Sequence, residues 1–213
     1  MLTSRVLDEM ADEAAADMAR AEQLAEQVLA LSPHSLLGHY ARAQVLRAQG
    51  RYNEAIPEYE TVLAINRNWV GAIAHLGQCK LFTGSTEETI PLVERAIRLS
   101  PRDGQIANWY SRIGVVHLLK SRLDEAIFWF ENSRSANLGH PVAHIFLASA
   151  YSLKGETERA AAELAEARRL SGDDRYLSVA RIRADRNWGV PKIRALFEAT
   201  YFAGLRKAGL AEE

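Results

Sequence analysis

The side chains of this chain that could carry chemistry are six histidines, several adjacent carboxylates, one cysteine and a group of aromatic residues. His140 and His144 stand four apart, a spacing that can bring two imidazoles to one helix face as metal ligands. Pro141 falls between them at a helix start, however, and no third ligand accompanies them. Glu87–Glu88, Asp124–Glu125 and Asp173–Asp174 are the pairs on which acid–base work would rest. All lie near expected helix starts or in turns, where carboxylates cap free N–H groups and favour the helix dipole. Cys79 is alone, which excludes an intrachain disulfide and a cysteine zinc cluster. It reads as a small buried hydrophobe. Trp109, Phe128, Trp129 and Phe130 could stack on nucleobases, but no basic stripe interleaves with them, so they read as core. The chain has no phosphate-binding glycine loop, zinc-binding histidine helix, calcium loop or nucleophile elbow. The expectation is a chain that is not an enzyme and uses no cofactor or metal.

The elements that carry these residues repeat every 34 positions. Segments 36–69 and 70–103 are followed, after three extra residues at 104–106, by 107–140 and 141–174; a weaker copy precedes them at 2–35. A period of this size means stacked supersecondary units. Each unit reads as two helices. Offset 15 carries Gly50, Gly84, Ser121 and Gly155, suited to the left-handed turn that ends a first helix. Small residues at offsets 8 and 20, such as Ala43 with Ala55 and Ala148 with Ala160, let the two helices cross closely. Pro33 and Pro101 mark where second helices stop. Pro57 and Pro91 share an offset read as near the first turn of the second helix, where a missing N–H matters less. Beyond 174 the period breaks: Arg175–Arg186 and residues 192–208, closed by Gly209, read as two further helices.

Leu76–Gly77, Ile113–Gly114, Tyr151, Asp124–Glu125–Ala126–Ile127 and the two prolines together resemble the tetratricopeptide repeat, over residues 2–174. The resemblance implies an all-α, right-handed superhelical solenoid of antiparallel helix pairs. The repeats would be a degenerate first one at 1–35, then 36–69, 70–103, 107–140 and 141–174, with capping helices at 175–213, all in one continuous domain. It also implies a concave groove lined by first helices. Carried onto this chain, the groove residues are Leu37, Tyr40, Gln44, Arg47, Gln78, Leu81, Phe82, Asn108, Ser111, Val115, Leu118, Leu119, Ile145 and Ser149. Tyr40 and Gln44 stand where chaperone-tail clamps of the family need a basic residue and asparagine, which disfavours a co-chaperone role. The groove is expected to be polar towards its N-terminal half and apolar at Leu81, Phe82, Val115, Leu118 and Leu119, with two readings open: a partner site, or core covered by the C-terminal helix.

Ser100–Pro101–Arg102–Asp103, Trp109–Tyr110, His117–Leu118–Leu119 and the end from Gly204 to Leu210 resemble more narrowly the repeat module of bacterial class III adenylate/guanylate cyclase and winged-helix regulators. That implies a protein or peptide ligand and a regulatory role in signalling, with a cyclase or DNA-binding domain as a possible partner.

The formal net charge of −1 offers no general attraction to nucleic acid or membranes. Charge is unevenly spread: residues 1–27 hold seven acidic and two basic side chains (−5), and residues 168–207 hold ten basic and four acidic (+6). Opposite ends of this kind leave self-association by end-to-end stacking as the alternative function. No apolar run is long enough for a membrane span and no signal peptide is evident, so a cytoplasmic protein is expected.

Overall fold

In the computed structural model of the chain, the backbone is described for residues 2–184 and 187–213 and side chains for 16–184 and 187–213. The helices are α1 (Leu2–Leu31), α2 (Leu36–Ala48), α3 (Tyr52–Ile65), α4 (Val70–Thr83), α5 (Thr86–Leu99), α6 (Ile106–Leu119), α7 (Leu123–Ala136), α8 (Pro141–Lys154) and α9 (Thr157–Ser171). After a 3₁₀ turn at Asp174–Leu177 come α10 (Val179–Ala184), α11 (Pro191–Phe197), a π-helical segment (Glu198–Phe202) and α12 (Ala203–Lys207). The fold is all-α; among the described residues the β pairing is a single bridge between Ser178 and Ala211. The chain divides into two compact units, Met1–Cys79 and Lys80–Glu213.

The recurrent offset 15 turns each first helix into its second. Gly50, Gly84 and Gly155 have φ of 73°, 97° and 90°, and Ser121 takes the same left-handed turn at 56° without being glycine. The residue after each closes the same bond back across five residues: Arg51 N–H to the Leu46 carbonyl at 2.8 Å, Ser85 to Lys80 at 2.9 Å, Arg122 to His117 at 3.0 Å and Glu156 to Tyr151 at 2.9 Å. That bond satisfies a helix-end carbonyl that would otherwise be orphaned. Within the first unit α2 packs on α3; within the second, α6 packs on α7 and α8 on α9. The small residues sit at the crossings. Ala43, Ala55, Ala148 and Ala160 are fully buried, and a Cβ on Gly114 would stand 2.6 Å from the Phe130 ring.

Three local expectations change. The helix pair expected in 1–35 is one uninterrupted 30-residue helix, α1; it contains no glycine or proline to break it. Pro57 and Pro91 lie inside α3 and α5, at the sixth residue of each, rather than in the first turn. The helix expected at Arg175–Arg186 is reduced to the 3₁₀ turn and α10, because Ser178 between them is extended (φ −147°, ψ 160°). The cause is the chain's own tail. Val179 and Ala180 N–H groups donate to the Ala211 and Glu212 carbonyls, both at 2.9 Å. Arg186 lies outside the described residues.

Candidate functional site

In the first unit the expected partner residues form one hydrogen-bonded face. α2 presents Leu37, Tyr40, Gln44 and Arg47 along it, at helical spacing, and α4 contributes Gln78. Leu37 is 66% exposed; Tyr40, Gln44, Arg47 and Gln78 are half-buried. The Gln44 side chain donates to Tyr40 Oη at 3.2 Å. Its Oε1 accepts from the Tyr59 hydroxyl at 2.6 Å and from Arg47 Nε at 3.1 Å. Arg47 Nη1 then donates to Gln78 Oε1 at 3.3 Å, tying α2 to α4. Burial pushes the Tyr59 hydroxyl well above its ordinary pKa, so it stays a neutral donor. Tyr40 lies 5.3 Å from Trp69 and 6.2 Å from Tyr59 between ring centres. Gly71 leaves room beside it, since a Cβ there would meet the Tyr40 hydroxyl. Sequence reasoning missed Trp69 as a member of this face. It precedes α4 by one residue, and a large aromatic at the end of a polar turn is the signal that could have pointed to it.

In the second unit Leu81, Phe82, Val115, Leu118, Leu119, Ile145, Ser111 and Ser149 are all buried, and the C-terminal helices pack against Phe82, α6 and α8. Phe82 stacks on Phe197 with centroids 6.3 Å apart. Phe146 meets Tyr201 at 4.5 Å, and Trp188 is wedged against Phe197, Tyr201 and Phe202. The Ser149 hydroxyl donates to the Tyr201 carbonyl at 2.8 Å, and Val190 N–H donates to the Phe82 carbonyl at 2.9 Å. Two glycines permit this contact. A Cβ on Gly204 would stand 2.6 Å from the Ser149 carbonyl oxygen, and one on Gly189 (φ +84°) would stand 2.4 Å from that of Phe82. Ser111 is engaged by Ser133 at 2.8 Å. Asn108 is half-buried and holds His140 Nε2 at 2.8 Å. Of the two readings left open for Leu81, Phe82, Val115, Leu118 and Leu119, the structure takes the core.

A comparison with protein-family models matches residues 13–78 to a tetratricopeptide repeat family. Over these residues, about a third of the chain, the sequence is similar to tetratricopeptide repeats. Among solved structures, a protein described as Pseudomonas aeruginosa PilF is similar at a TM-score of 0.67 and 17% identity, covering 92% of this chain and 89% of that one. TTC0263, a thermophilic tetratricopeptide-repeat protein of Thermus thermophilus, matches at 0.63 and 20%, covering 92% and 95%. YrrB, described as a repeat protein with an unusual peptide-binding site, matches at 0.57 and 20%, covering 81% and 85%. At these identities the likeness is one of fold. A search of curated proteins finds no match.

Within this helical-repeat fold, the residues singled out for chemistry have packing and pairing roles. His39 and His144 occupy the same repeat position, and each meets a glutamate 19 residues on: His39 Nδ1 lies 2.6 Å from Glu58, and His144 Nδ1 lies 2.6 Å from Glu163. In the 107–140 repeat the same two positions hold Tyr110 and Trp129, with centroids 5.7 Å apart. Thus His144 is turned to Glu163 and His140 to Asn108. Among the described residues, no group of three or more His, Cys, Asp or Glu is placed to hold a metal ion. Glu87 is paired with Lys120 at 2.6 Å and Asp124 with Lys154 at 2.7 Å. Asp173 accepts the Arg175 N–H at 2.9 Å, and its pKa is lowered chiefly by the Ser171 hydroxyl. Cys79 is buried. No described helix is long and apolar enough to cross a membrane.

Half of the ten basic residues of 168–207 have carboxylate partners among the described residues. Arg183 and Arg206 each bridge both Glu198 and Glu212, closing a four-membered ring with N–O distances of 2.6–3.3 Å. Arg169, Arg175 and Arg181 are paired with Glu166, Asp173 and Asp174.

Proposed function

We propose that the chain is a non-catalytic interaction module that binds a peptide or helix of a partner protein on the face of its first unit formed by Leu37, Tyr40, Gln44, Arg47 and Gln78. The observation that carries this reading is the contrast between the two units. The apolar α6 and α8 residues expected in the groove are buried beneath the chain's own C-terminal helices, whereas the α2 face keeps Leu37 66% exposed beside a polar ladder. An apolar anchor ringed by donors and acceptors with an aromatic pair alongside suits helix or extended-peptide docking. YrrB, which shares the fold, carries a peptide-binding site according to its description. A regulatory setting in a bacterial signalling protein, beside a cyclase or winged-helix domain, rests on the resemblance of residues 95–213 alone.

The test is selection of ligands from a displayed library of 12-residue peptides, followed by affinity measurement on variants. Leu37→Lys and Tyr40→Ala should each weaken the selected peptides at least about tenfold, roughly 1.4 kcal/mol, with helicity retained. Selected peptides that bind these variants as well as the parent chain would refute the assigned face.

A further inference from the structure

We infer that Arg47 is the carboxylate receptor of the first-unit face, so that the partner segment bound there is acidic. This rests on the proposed docking face and adds to it the chemistry of the occupant. Its two nearest arginines in sequence have carboxylate partners: Arg42 has Glu58 at 3.5 Å, and Arg51 has Glu22 at 2.7 Å and Glu54 at 2.6 Å. Arg47 differs. Among the described residues no carboxylate pairs with it, and its guanidinium is held by two neutral amide oxygens, those of Gln44 and Gln78. Those two bonds use one Nε and one Nη1 proton, and the Tyr59 hydroxyl is a further neutral neighbour. A guanidinium has five N–H donors, so donors remain for the oxygens of a ligand.

The ladder fixes the fork without neutralising it. Gln44 is itself pinned by Tyr59 and Tyr40, so its oxygen cannot swing away. A pre-oriented, half-buried guanidinium matches the two oxygens of a carboxylate and loses little freedom on binding one. The position is also distinct from the basic and asparagine pair of chaperone-tail clamps, since Tyr40 and Gln44 occupy those places. The carboxylate can come from an Asp or Glu side chain or from a peptide's free C-terminus.

The experiment uses the full chain and the displayed 12-residue library, with selected peptides resynthesised in acid and amide C-terminal forms. Ligands should be enriched in Asp and Glu or depend on the free C-terminus. Replacing the critical Asp or Glu by Asn or Gln, or amidating the end, should weaken binding to the parent chain at least about tenfold and to Arg47→Gln less than about threefold. Arg47→Glu should select basic peptides instead. Ligands without acidic preference that still lose affinity to Leu37→Lys would overturn the role of Arg47 while leaving the docking face standing. Failure to select any ligand, or ligands indifferent to Leu37→Lys, would overturn both. Self-association abolished by Arg47→Glu would overturn the partner in favour of a second copy's acidic N-terminal segment.

Discussion

Gly204→Ala tests the seating of the C-terminal helices, because its sign depends on what lies beside the glycine. On an exposed helix surface the change stabilises by about 1 kcal/mol, since alanine has the better helix propensity. At this position the new methyl group would stand 2.3 Å from Ser149 Oγ, 2.6 Å from the Ser149 carbonyl oxygen and 3.0 Å from its carbonyl carbon. A rotamer change relieves the first contact only. The other two are backbone, so the helix must back away from α8. Overpacking of this kind costs about 1–3 kcal/mol, and retreat also sacrifices the buried Ser149–Tyr201 hydrogen bond, worth about 1 kcal/mol. Set against the propensity gain, the net loss is about 1–3 kcal/mol, or roughly 3–10 °C in Tm for a unit of this size. Circular dichroism during heating gives Tm. Fluorescence of Trp188, packed in the contact, reports whether the loss is located there. Gly104→Ala is the matched control, since a Cβ there meets nothing. A Tm for Gly204→Ala equal to or above that of the parent would show that the helix does not lie against α8.

Other outcomes follow from the same packing. Leu119→Arg places a charge at a site 4% exposed and should cost several kcal/mol, read as a collapse of the second unit's unfolding transition; wild-type stability would refute burial. Glu198 and Glu212 are held below the usual carboxylate range, by Arg183 and Arg206 respectively in the first place. A depressed folded pKa contributes stability that is complete above the unfolded value near 4.5 and is lost as pH falls below it. Acidification from pH 6 to 3 should therefore destabilise the parent more than an Arg183→Gln/Arg206→Gln variant, as followed by urea midpoints; parallel losses would refute the ring's contribution.

The period, the turns at offset 15 and the helix crossings were legible because they depend on local residues: Gly50 or Ala43 has the same neighbours in sequence as in space. Ser121 was legible too, although serine is a poor left-handed residue, because its offset outweighed its type. The docking of residues 187–210 was harder to read, since nothing local to Phe197 or Gly204 says which face they cover. A signal did exist in the receiving helices. In α8 every residue from Ala143 to Ser152 is buried, and α6 buries Ile113 to Val116 together with Leu118 and Leu119. A helix apolar around its whole circumference has no solvent face. By contrast α2 buries only Gly38, Ala43, Val45 and Leu46, the pattern of a helix with one side open. The prolines were misplaced for a different reason. Pro57 forfeits one backbone bond inside α3, yet packing of Ala55, Tyr59 and Val62 on either side holds the helix through it.

The paired positions that carry His39–Glu58, Tyr110–Trp129 and His144–Glu163 show what the repeat constrains; in sequence the same two offsets hold Ile73 and Leu92 in the 70–103 repeat. Where the contact is seen, the two side chains satisfy each other, by charge at His39–Glu58 and His144–Glu163 and by aromatic contact at Tyr110–Trp129. Half a pair should then be worse than a complete exchange. Glu163→Leu alone leaves the buried His144 Nδ1 without its acceptor and takes from Arg134 its contact with Glu163, at a cost of about 1–3 kcal/mol. His144→Ile alone leaves Glu163 facing an apolar neighbour with only Arg134 to hold it. The double variant adopts the residues of the 70–103 repeat and removes both mismatches. A double-mutant cycle from urea unfolding should give a favourable coupling of about 1–2 kcal/mol. Losses that add to within about 0.5 kcal/mol would show that the two positions are independent, and the histidines would then need another explanation than their glutamates.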